Sequence, residues 1–280
     1  MYFDNGEGNV YRPPSEADSF ILRVTIGCSH NECTFCSMYK DVNFRIRPMD
    51  EIIAQINRAK EYKEHIRKVF LADGDALVLS TDKLIKIISI LNDTFPNLSY
   101  ISCYASTQNI NKKTTDDLIQ LNKLGLKMIY LGVESGDDRI LADVNKKTTS
   151  LEILNASKKV LNANIKLTTM VIIGLGGKTR SRENAINTGK LISDINPSAL
   201  GVLTLVVPPK TPMANDVAWG KFKPLSPMET LSELKELVEN LNLDNPCIFS
   251  STHISNQLPL TGLLPRDKHK ILGEINNILY

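Results

Sequence analysis

Between residues 20 and 207 the chain alternates six short apolar runs with amphipathic helical patterns, and that alternation leaves few ways to fold. The runs cover residues 20–26, 68–72, 100–105, 128–133, 166–173 and 200–207. Most are rich in β-branched or aromatic residues and apolar on both faces, as strands are when helices cover both sides of their sheet. Between them Leu84, Ile87, Ile88 and Leu91, and again Leu118, Leu121 and Leu124, recur at spacings of three and four, which marks one buried stripe of a helix. Thr114 or Thr115 ahead of Asp116 and Asp117 supplies a helix start. Strand–helix units in series require a parallel sheet with right-handed crossovers. The expectation is an α/β fold, and 280 residues suffice for a single barrel with a full core. Periodicity alone does not separate a barrel from an open, doubly wound sheet.

In either arrangement function gathers at the carboxyl ends of the strands. The conspicuous residues fall there. Asp73-Gly74-Asp75 follows the second run, Ser106, Thr107 and Asn109 the third, Glu134-Ser135-Gly136-Asp137-Asp138 the fourth and Gly174-Leu175-Gly176-Gly177 the fifth. Each alone is ordinary loop composition, since Asp and Gly begin turns and Asp137 or Asp138 can cap a helix. Their shared rim is what singles them out.

The first run leads into Gly-Cys-Ser-His-Asn-Glu-Cys-Thr-Phe-Cys, which places Cys28, Cys33 and Cys36 within nine residues. Three thiolates from one short loop can hold a metal centre and leave a position open. His30 lies between the first two cysteines, so a closed Cys3His zinc site is a competing reading. Thiolates suit both zinc and iron–sulfur clusters. Zinc usually draws its ligands from two separated pairs, and no second pair follows downstream. The spacing and the odd total of five cysteines argue for metal over disulfides. Of the remaining two, Cys247 is isolated and Cys103, at the end of a predicted strand, reads as a small buried apolar residue with hydrogen-atom donation as the alternative.

Lys and Arg total 33 against 31 Asp and Glu, a net charge of +2 that gives no nucleic-acid footprint. There is no signal-peptide pattern and no apolar stretch of membrane-spanning length. A soluble, cytoplasmic protein is expected.

The cysteine loop with Phe35 before its last cysteine, Asp73-Gly74-Asp75, Gly132-Val133-Glu134-Ser135-Gly136 and the glycine-rich end of the fifth run, in that order, resemble the radical S-adenosylmethionine superfamily. Within it they are most similar to the coproporphyrinogen-oxidase-like and Elongator-like branch. One departure is that four residues, where the family usually has three, separate the first two cysteines. The resemblance implies a partial (β/α)6 barrel of the TIM type over residues 20–207. An amino-terminal extension (1–19) would precede it, and a short helical carboxyl-terminal extension (208–280) would cover the barrel mouth. It further implies that Cys28, Cys33 and Cys36 bind three irons of a [4Fe–4S] cluster whose fourth iron takes the amino and carboxylate groups of S-adenosylmethionine. Asp73, Gly74 and Asp75 stand where the family has Gly-Gly-Glu, and would hold the methionine ammonium. Glu134 would meet the ribose hydroxyls, Ser106 the methionine carboxylate, and Phe35, Gly174, Leu175 and Val207 the adenine. The implied reaction is reductive cleavage to a 5'-deoxyadenosyl radical that abstracts hydrogen from substrate, with a flavodoxin- or ferredoxin-type electron donor.

Two leftover cysteines are too few for a second cluster. Neither a cobalamin domain before residue 20 nor a β-rich RNA-binding domain after the barrel is read in the sequence, so a small-molecule substrate is expected rather than nucleic acid. Leu231, Leu234, Leu237, Val238 and Leu241 predict a packing helix. The segment 249–259 after it is dense in hydrogen-bonding side chains, and Ser251, His253 and Asn256 are its substrate-pocket candidates. In size and layout the chain resembles the queuine lyases of this branch, which cleave a 7-deazaguanine base to its aminomethyl precursor. Alternatives are a radical enzyme acting on a porphyrin or an RNA base, a non-catalytic haem chaperone, and a zinc-bearing interaction protein.

Overall fold

A computed structural model describes residue 1 and residues 8–279. The chain is organised in two compact units, Met1–Asn31 with Ser37–Leu131 and Lys159–Lys166, and Glu32–Cys36 with Gly132–Lys158 and Leu167–Tyr280.

The first unit contains β1 (Phe20–Arg23), β2 (Thr25–Ile26), β3 (Arg45–Ile46), α1 (Met49–Ala59), β4 (Lys68–Ala72), α2 (Thr81–Thr94), β5 (Tyr100–Ala105), α3 (Thr107–Asn111) and α4 (Thr115–Leu124). It also holds most of β6 (Leu126–Glu134), whose last three residues pass into the second unit. Strands β1, β4, β5 and β6 are parallel neighbours, with Phe20 opposite Val69, Lys68 opposite Tyr100 and Cys103 opposite Ile129. Their apolar side chains, such as Leu22, Phe70, Leu71, Ile101 and Ile129, are buried. Leu84, Ile87, Ile88 and Leu91 form the buried stripe of α2, as their spacing predicts. Phe20 meets Phe95, just past α2, edge to face with ring centroids 5.8 Å apart. At the start of α4 the expected cap is a reciprocal box: Asp117 N donates to Thr114 Oγ1 at 3.0 Å and Thr114 N to Asp117 Oδ2 at 2.8 Å. Ahead of β1, the buried Glu16 carboxylate accepts from Tyr130 Oη at 2.6 Å and Ser19 Oγ at 2.5 Å, which ties the amino-terminal segment to β6.

The second unit contains α5 (Asp138–Asp143), α6 (Ser150–Asn162), β7 (Lys166–Ile173), α7 (Gly177–Ile195), β8 (Ala199–Thr204), α8 (Pro212–Ala218), α9 (Pro227–Glu239), β9 (Cys247–Ser250), β10 (Thr261–Leu264) and α10 (Lys268–Leu279). A few residues around the end of α6 and the start of β7 belong to the first unit. Strands β7, β8 and β9 are parallel, and β10 returns antiparallel to β9, with Thr261 opposite Ser250. The expected leucine helix is α9, with Leu231, Leu234, Leu237 and Val238 buried.

The expected strands over 68–72, 100–105 and 166–173 have those bounds in the structure. The sixth was expected to reach Val207 but ends at Thr204, because Val206 turns out to solvent and Pro208 and Pro209 cannot extend a ladder. Strand β9 overlaps only the first two residues of the polar segment 249–259, where the sequence reading expects no strand. Its alternation of buried Cys247, exposed Ile248 and buried Phe249 is the period-two signal that identifies it.

Loss of the α4 capping box sets a first expectation. Thr114→Ala should destabilise the protein by about 1 kcal/mol, typical of a lost Ser or Thr cap, measured as a lower urea midpoint with unchanged slope.

Candidate functional site

The rim of the first unit is organised by one buried ion pair. Arg23, at the end of β1, is fully buried and grips the equally buried Asp73, just past β4, through two bonds: Nε to Oδ1 at 3.0 Å and the NH2 nitrogen to Oδ2 at 2.6 Å. Gly27 N donates to the same Oδ2 at 2.9 Å, and Asp73 N donates to Thr25 Oγ1 at 3.0 Å. Burial raises the Asp73 pKa, opposed by the Arg23 hydrogen bonds and charge and by the Gly27 N–H. The fork-to-fork geometry is that of a carboxylate held by a guanidinium. With three donors taken up, Asp73 is committed inside the protein.

Asp75 turns the other way, onto the cysteine loop. Its Oδ2 accepts from Ser29 Oγ and Asn109 Nδ2, both at 2.6 Å, and its Oδ1 from Ser106 N at 3.1 Å. The Ser106 hydroxyl caps α3, accepting from Asn109 N at 3.2 Å. Between the two aspartates Gly74 donates its N–H to Gly27 O at 3.1 Å. A β-carbon there would lie 2.9 Å from the Tyr39 ring and 3.1 Å from Cys28 Cβ, so close packing requires glycine. Tyr39 is buried, and its hydroxyl has no hydrogen-bond partner among the described residues. Cys28 is half-buried beside it.

In the second unit Cys33 and Cys36 are half-buried and reduced, with Cys36 N donating to Cys33 O at 3.3 Å. The loop is pinned through Thr34, whose N donates to Val144 O at 3.0 Å and whose O accepts from Met213 N at 3.1 Å. Phe35, Leu175 and Val207 share one apolar cluster with Ile140, Val144 and Met213. Glu134 ends β6 with a positive φ of 64°, unusual for a residue with a side chain. Its Oε1 accepts from Lys146 Nζ at 2.7 Å. That carboxylate occupies the space a side chain at residue 132 would need, because a β-carbon on Gly132 would lie 2.2 Å from Oε1. Gly174, at φ 83°, opens the turn after β7. Cys103 and Cys247 are buried in the strands, and burial pushes both thiols up, Cys247 to about 12.

Residues 22–188, more than half of the chain, match the Radical SAM superfamily. The chain belongs to the radical SAM superfamily. Among similar proteins, heme chaperone HemW of Bacillus subtilis is 24% identical over 221 residues, covering 75% of this chain and 56% of HemW. A tRNA-2-methylthio-N(6)-dimethylallyladenosine synthase of Dehalococcoides mccartyi is 27% identical over 215 residues, covering 74% of this chain and 49% of the synthase. The chain thus spans about half the length of these curated relatives. Coproporphyrinogen III oxidase (HemN) from Escherichia coli superposes with a TM-score of 0.57 at 19% identity, over 79% of this chain and 51% of that one. The fold is accordingly α/β, the partial barrel expected from the sequence, with helices in its carboxyl-terminal extension.

Radical SAM proteins use a [4Fe–4S] cluster and S-adenosylmethionine, and this chain offers groups suited to both. Three half-buried cysteines can become cluster ligands, and the Tyr39 hydroxyl beside Cys28 and Gly74, orphaned among the described residues, marks a place where a polar group still lacks a partner. Among the described residues no three His, Cys, Asp or Glu side chains gather closely enough to hold one metal ion. A cubane cluster gives each thiolate its own iron and does not call for such a gathering. No helix among the described residues is long and apolar enough to cross a membrane.

The tail candidates have distinct fates. Ser251 is buried and its hydroxyl folds the tail, donating to Leu258 O at 2.9 Å and accepting from Leu260 N at 3.0 Å. Asn256 donates to Val202 O at 2.7 Å and Ser251 O at 2.9 Å and accepts from Thr204 Oγ1 at 2.7 Å. His253 is exposed. Sequence reasoning missed Asn184 and Glu233, which carry a buried polar network of this unit. Ser135 Oγ donates to Asn184 Oδ1 at 2.6 Å, and Asn184 Nδ2 donates to Glu233 Oε1 at 2.8 Å. Glu233 Oε1 also accepts from Gly174 N at 2.8 Å, and its Oε2 from Ser181 Oγ. The loops carrying Glu134 and Gly174 are thereby joined through α7 and α9. A Glu at a heptad-like spacing among leucines was the available signal.

Two expectations follow from these networks. Arg23→Met should destabilise the protein by about 3–5 kcal/mol, because it leaves a buried carboxylate unpaired, whereas Arg23→Met with Asp73→Leu should recover most of that loss in urea denaturation. The Glu233 pKa is raised by burial, with Ser181, Gly174 and Asn184 acting against the shift. The stability conferred by its neutral form is full below the ordinary value near 4.5 and is lost as pH rises through the higher native value. Glu233→Gln keeps the acceptor oxygen and removes that dependence. The melting temperature of the variant should therefore gain on the parent as pH is raised from 4.5 to 8.

Proposed function

We propose that this chain is a radical S-adenosylmethionine enzyme that abstracts a hydrogen atom from a small molecule. More specifically, we propose a lyase that cleaves queuine between its aminomethyl nitrogen and its cyclopentene ring. The observation that carries the class is the cysteine loop, three half-buried cysteines within nine residues, on a chain that belongs to this superfamily. The lyase reading is supported by the resemblance to queuine lyases and by the polar tail.

Cys28, Cys33 and Cys36 would hold the [4Fe–4S] cluster. Once bound and reduced, the cluster with S-adenosylmethionine supplies a 5'-deoxyadenosyl radical that takes a hydrogen atom from substrate. The chain's own residues then bind and orient. The Asp73 charge is neutralised by Arg23, whereas Asp75, just as buried, is held by the neutral donors Ser29, Asn109 and Ser106 N, so the ammonium of the methionine moiety falls to the Asp75 charge and to backbone carbonyls at Gly74 and Asp75. Ser106, with its hydroxyl capping α3, sits beside Asp75 to steady the methionine carboxylate. Lys146 occupies one oxygen of Glu134, and the other can accept from ribose hydroxyls. Phe35, Leu175 and Val207 offer the adenine an apolar seat next to Gly174, and that seat limits water at the reacting atoms. Ser251, His253 and Asn256 shape the tail on the substrate side. A small electron carrier of the flavodoxin or ferredoxin type would supply reducing equivalents.

The test is anaerobic reconstitution with iron and sulfide, reduction with S-adenosylmethionine present, and measurement of 5'-deoxyadenosine together with queuine. The parent should hold about four irons, form deoxyadenosine and consume queuine, and alanine at any of the three cysteines should abolish all three. Glu134→Gln should raise KM for S-adenosylmethionine roughly 10- to 100-fold, as expected for lost charge-assisted hydrogen bonds. Deoxyadenosine without loss of queuine would reject the lyase reading. A zinc-bearing protein with no cleavage would reject the class. Stable haem binding without cleavage would place the chain with the haem-chaperone activity for which HemW is named.

A further inference from the structure

The carboxyl ends of β7 and β8 open into a cleft of about 270 Å3, lined by Gly174 after β7 and by Thr204 and Leu205 at the end of β8. Its remaining walls come from Pro224, Leu225 and Pro227, ahead of and at the start of α9, and from Thr230, Ser255 and Gln257. We infer that this cleft seats an uncharged, base-sized ring that presents N–H donors, and that Thr204, Thr230, Ser255 and Gln257 determine specificity for it.

Charge is the first constraint. No lining residue is ionisable, so a carboxylate or phosphate placed here would lose its hydration without a counter-charge. Size is the second. At roughly 30 Å3 per water, the cleft holds about nine waters, which corresponds to a solute on the order of ten heavy atoms and lies below the usual range for drug-sized ligands. A porphyrin with its acidic side chains fails both constraints, and a bicyclic heterocycle meets both. The two prolines and two leucines supply flat apolar walls for the faces of such a ring.

Hydrogen-bond direction is the third and most selective constraint. Thr204 spends its hydroxyl proton on Asn256 Oδ1 at 2.7 Å, and Thr230 spends its own on Ser226 O at 3.0 Å. The Ser255 hydroxyl shares a hydrogen bond with His253 Nδ1 at 2.7 Å. The Ser255 oxygen also accepts from Thr204 N at 3.1 Å. The Thr204 and Thr230 hydroxyls thus offer the cleft lone pairs and no protons. A ligand that brings only acceptors would meet acceptors, whereas the amino and ring N–H edge of a guanine-like base would meet partners. Gln257 is exposed and makes no hydrogen bond among the described residues, so its amide can supply either role at the open side. Ser251, His253 and Asn256 act from behind, by fixing where these oxygens point.

This inference rests on the proposed small-molecule enzyme, and its test separates the two. Reconstituted holoenzyme with S-adenosylmethionine bound is titrated calorimetrically with 7-deazaguanine, the uncharged ring of queuine, and with 7-deazahypoxanthine, which lacks the exocyclic amino donor. Saturable binding of 7-deazaguanine is expected, with roughly tenfold weaker binding of 7-deazahypoxanthine and of 7-deazaguanine to Thr230→Val. Gln257→Ala, on an exposed residue that does not support the fold, should weaken binding severalfold. Absence of 7-deazaguanine binding by a holoenzyme that still forms deoxyadenosine would overturn the cleft assignment and spare the enzyme class. Equal binding by the parent and both variants would overturn it too. Variant-sensitive binding without turnover of queuine would uphold the cleft and reject only the lyase step.

Discussion

The rim of the first unit depends on the Arg23–Asp73 pair. Two full charges buried in a strand core are costly to desolvate, and their attraction offsets that cost only when geometry and further donors are right. Here they are right: two guanidinium bonds and the Gly27 N–H converge on one carboxylate. The net contribution of such a pair to stability is small compared with apolar packing of the same volume, so its value is geometric. It locks the end of β1 to the end of β4, and from those two ends Cys28 and Gly74-Asp75 depart. Because the carboxylate is consumed, the second aspartate of Asp-Gly-Asp is the one left to face the cysteine loop.

The second unit solves a similar problem without a salt bridge. Glu233 is buried with no ion-pair partner among the described residues, and its carboxyl is held by three donors from Gly174, Asn184 and Ser181. A carboxylate satisfied by neutral donors binds its neighbours less tightly than an ion pair does, and burial raises its pKa in consequence. Asn184 is suited to the centre of this network because it accepts and donates at once, taking Ser135 on its oxygen and giving its NH2 to Glu233 and to Ile172 O. The helical extension is therefore part of the framework that sets the turns after β6 and β7.

The parallel α/β plan was legible because it is written in periodicity: both-faced apolar runs and three–four leucine spacings survive any choice of tertiary detail. Strand bounds at 68–72 and 100–105 were readable for the same reason. The break of the first run into β1 and β2, and the early end of β8, depend on where the backbone leaves its ladder, which side-chain pattern does not encode. The cysteines, Glu134 and the two aspartates were visible as residue types at strand ends. Which aspartate is consumed was not, because Arg23 reads locally as one charged residue interrupting an apolar run, and its partner lies fifty residues away.

The polar tail teaches the converse lesson about function. Dense hydrogen-bonding composition drew attention to Ser251, His253 and Asn256, yet a loop that must cross the end of a sheet needs just such residues to satisfy its own backbone. Ser251 and Asn256 do that work, closing on Leu258, Leu260, Val202 and Thr204. Once those protons are assigned, the hydroxyls left facing the cleft are constrained in sign as well as in place. A pocket whose polar groups are already half-spent discriminates more sharply than one whose hydroxyls rotate freely, because a ligand with the wrong edge leaves desolvated lone pairs unpaired. Selectivity of this kind is set by the fold behind the pocket, and residues that never touch the ligand determine it.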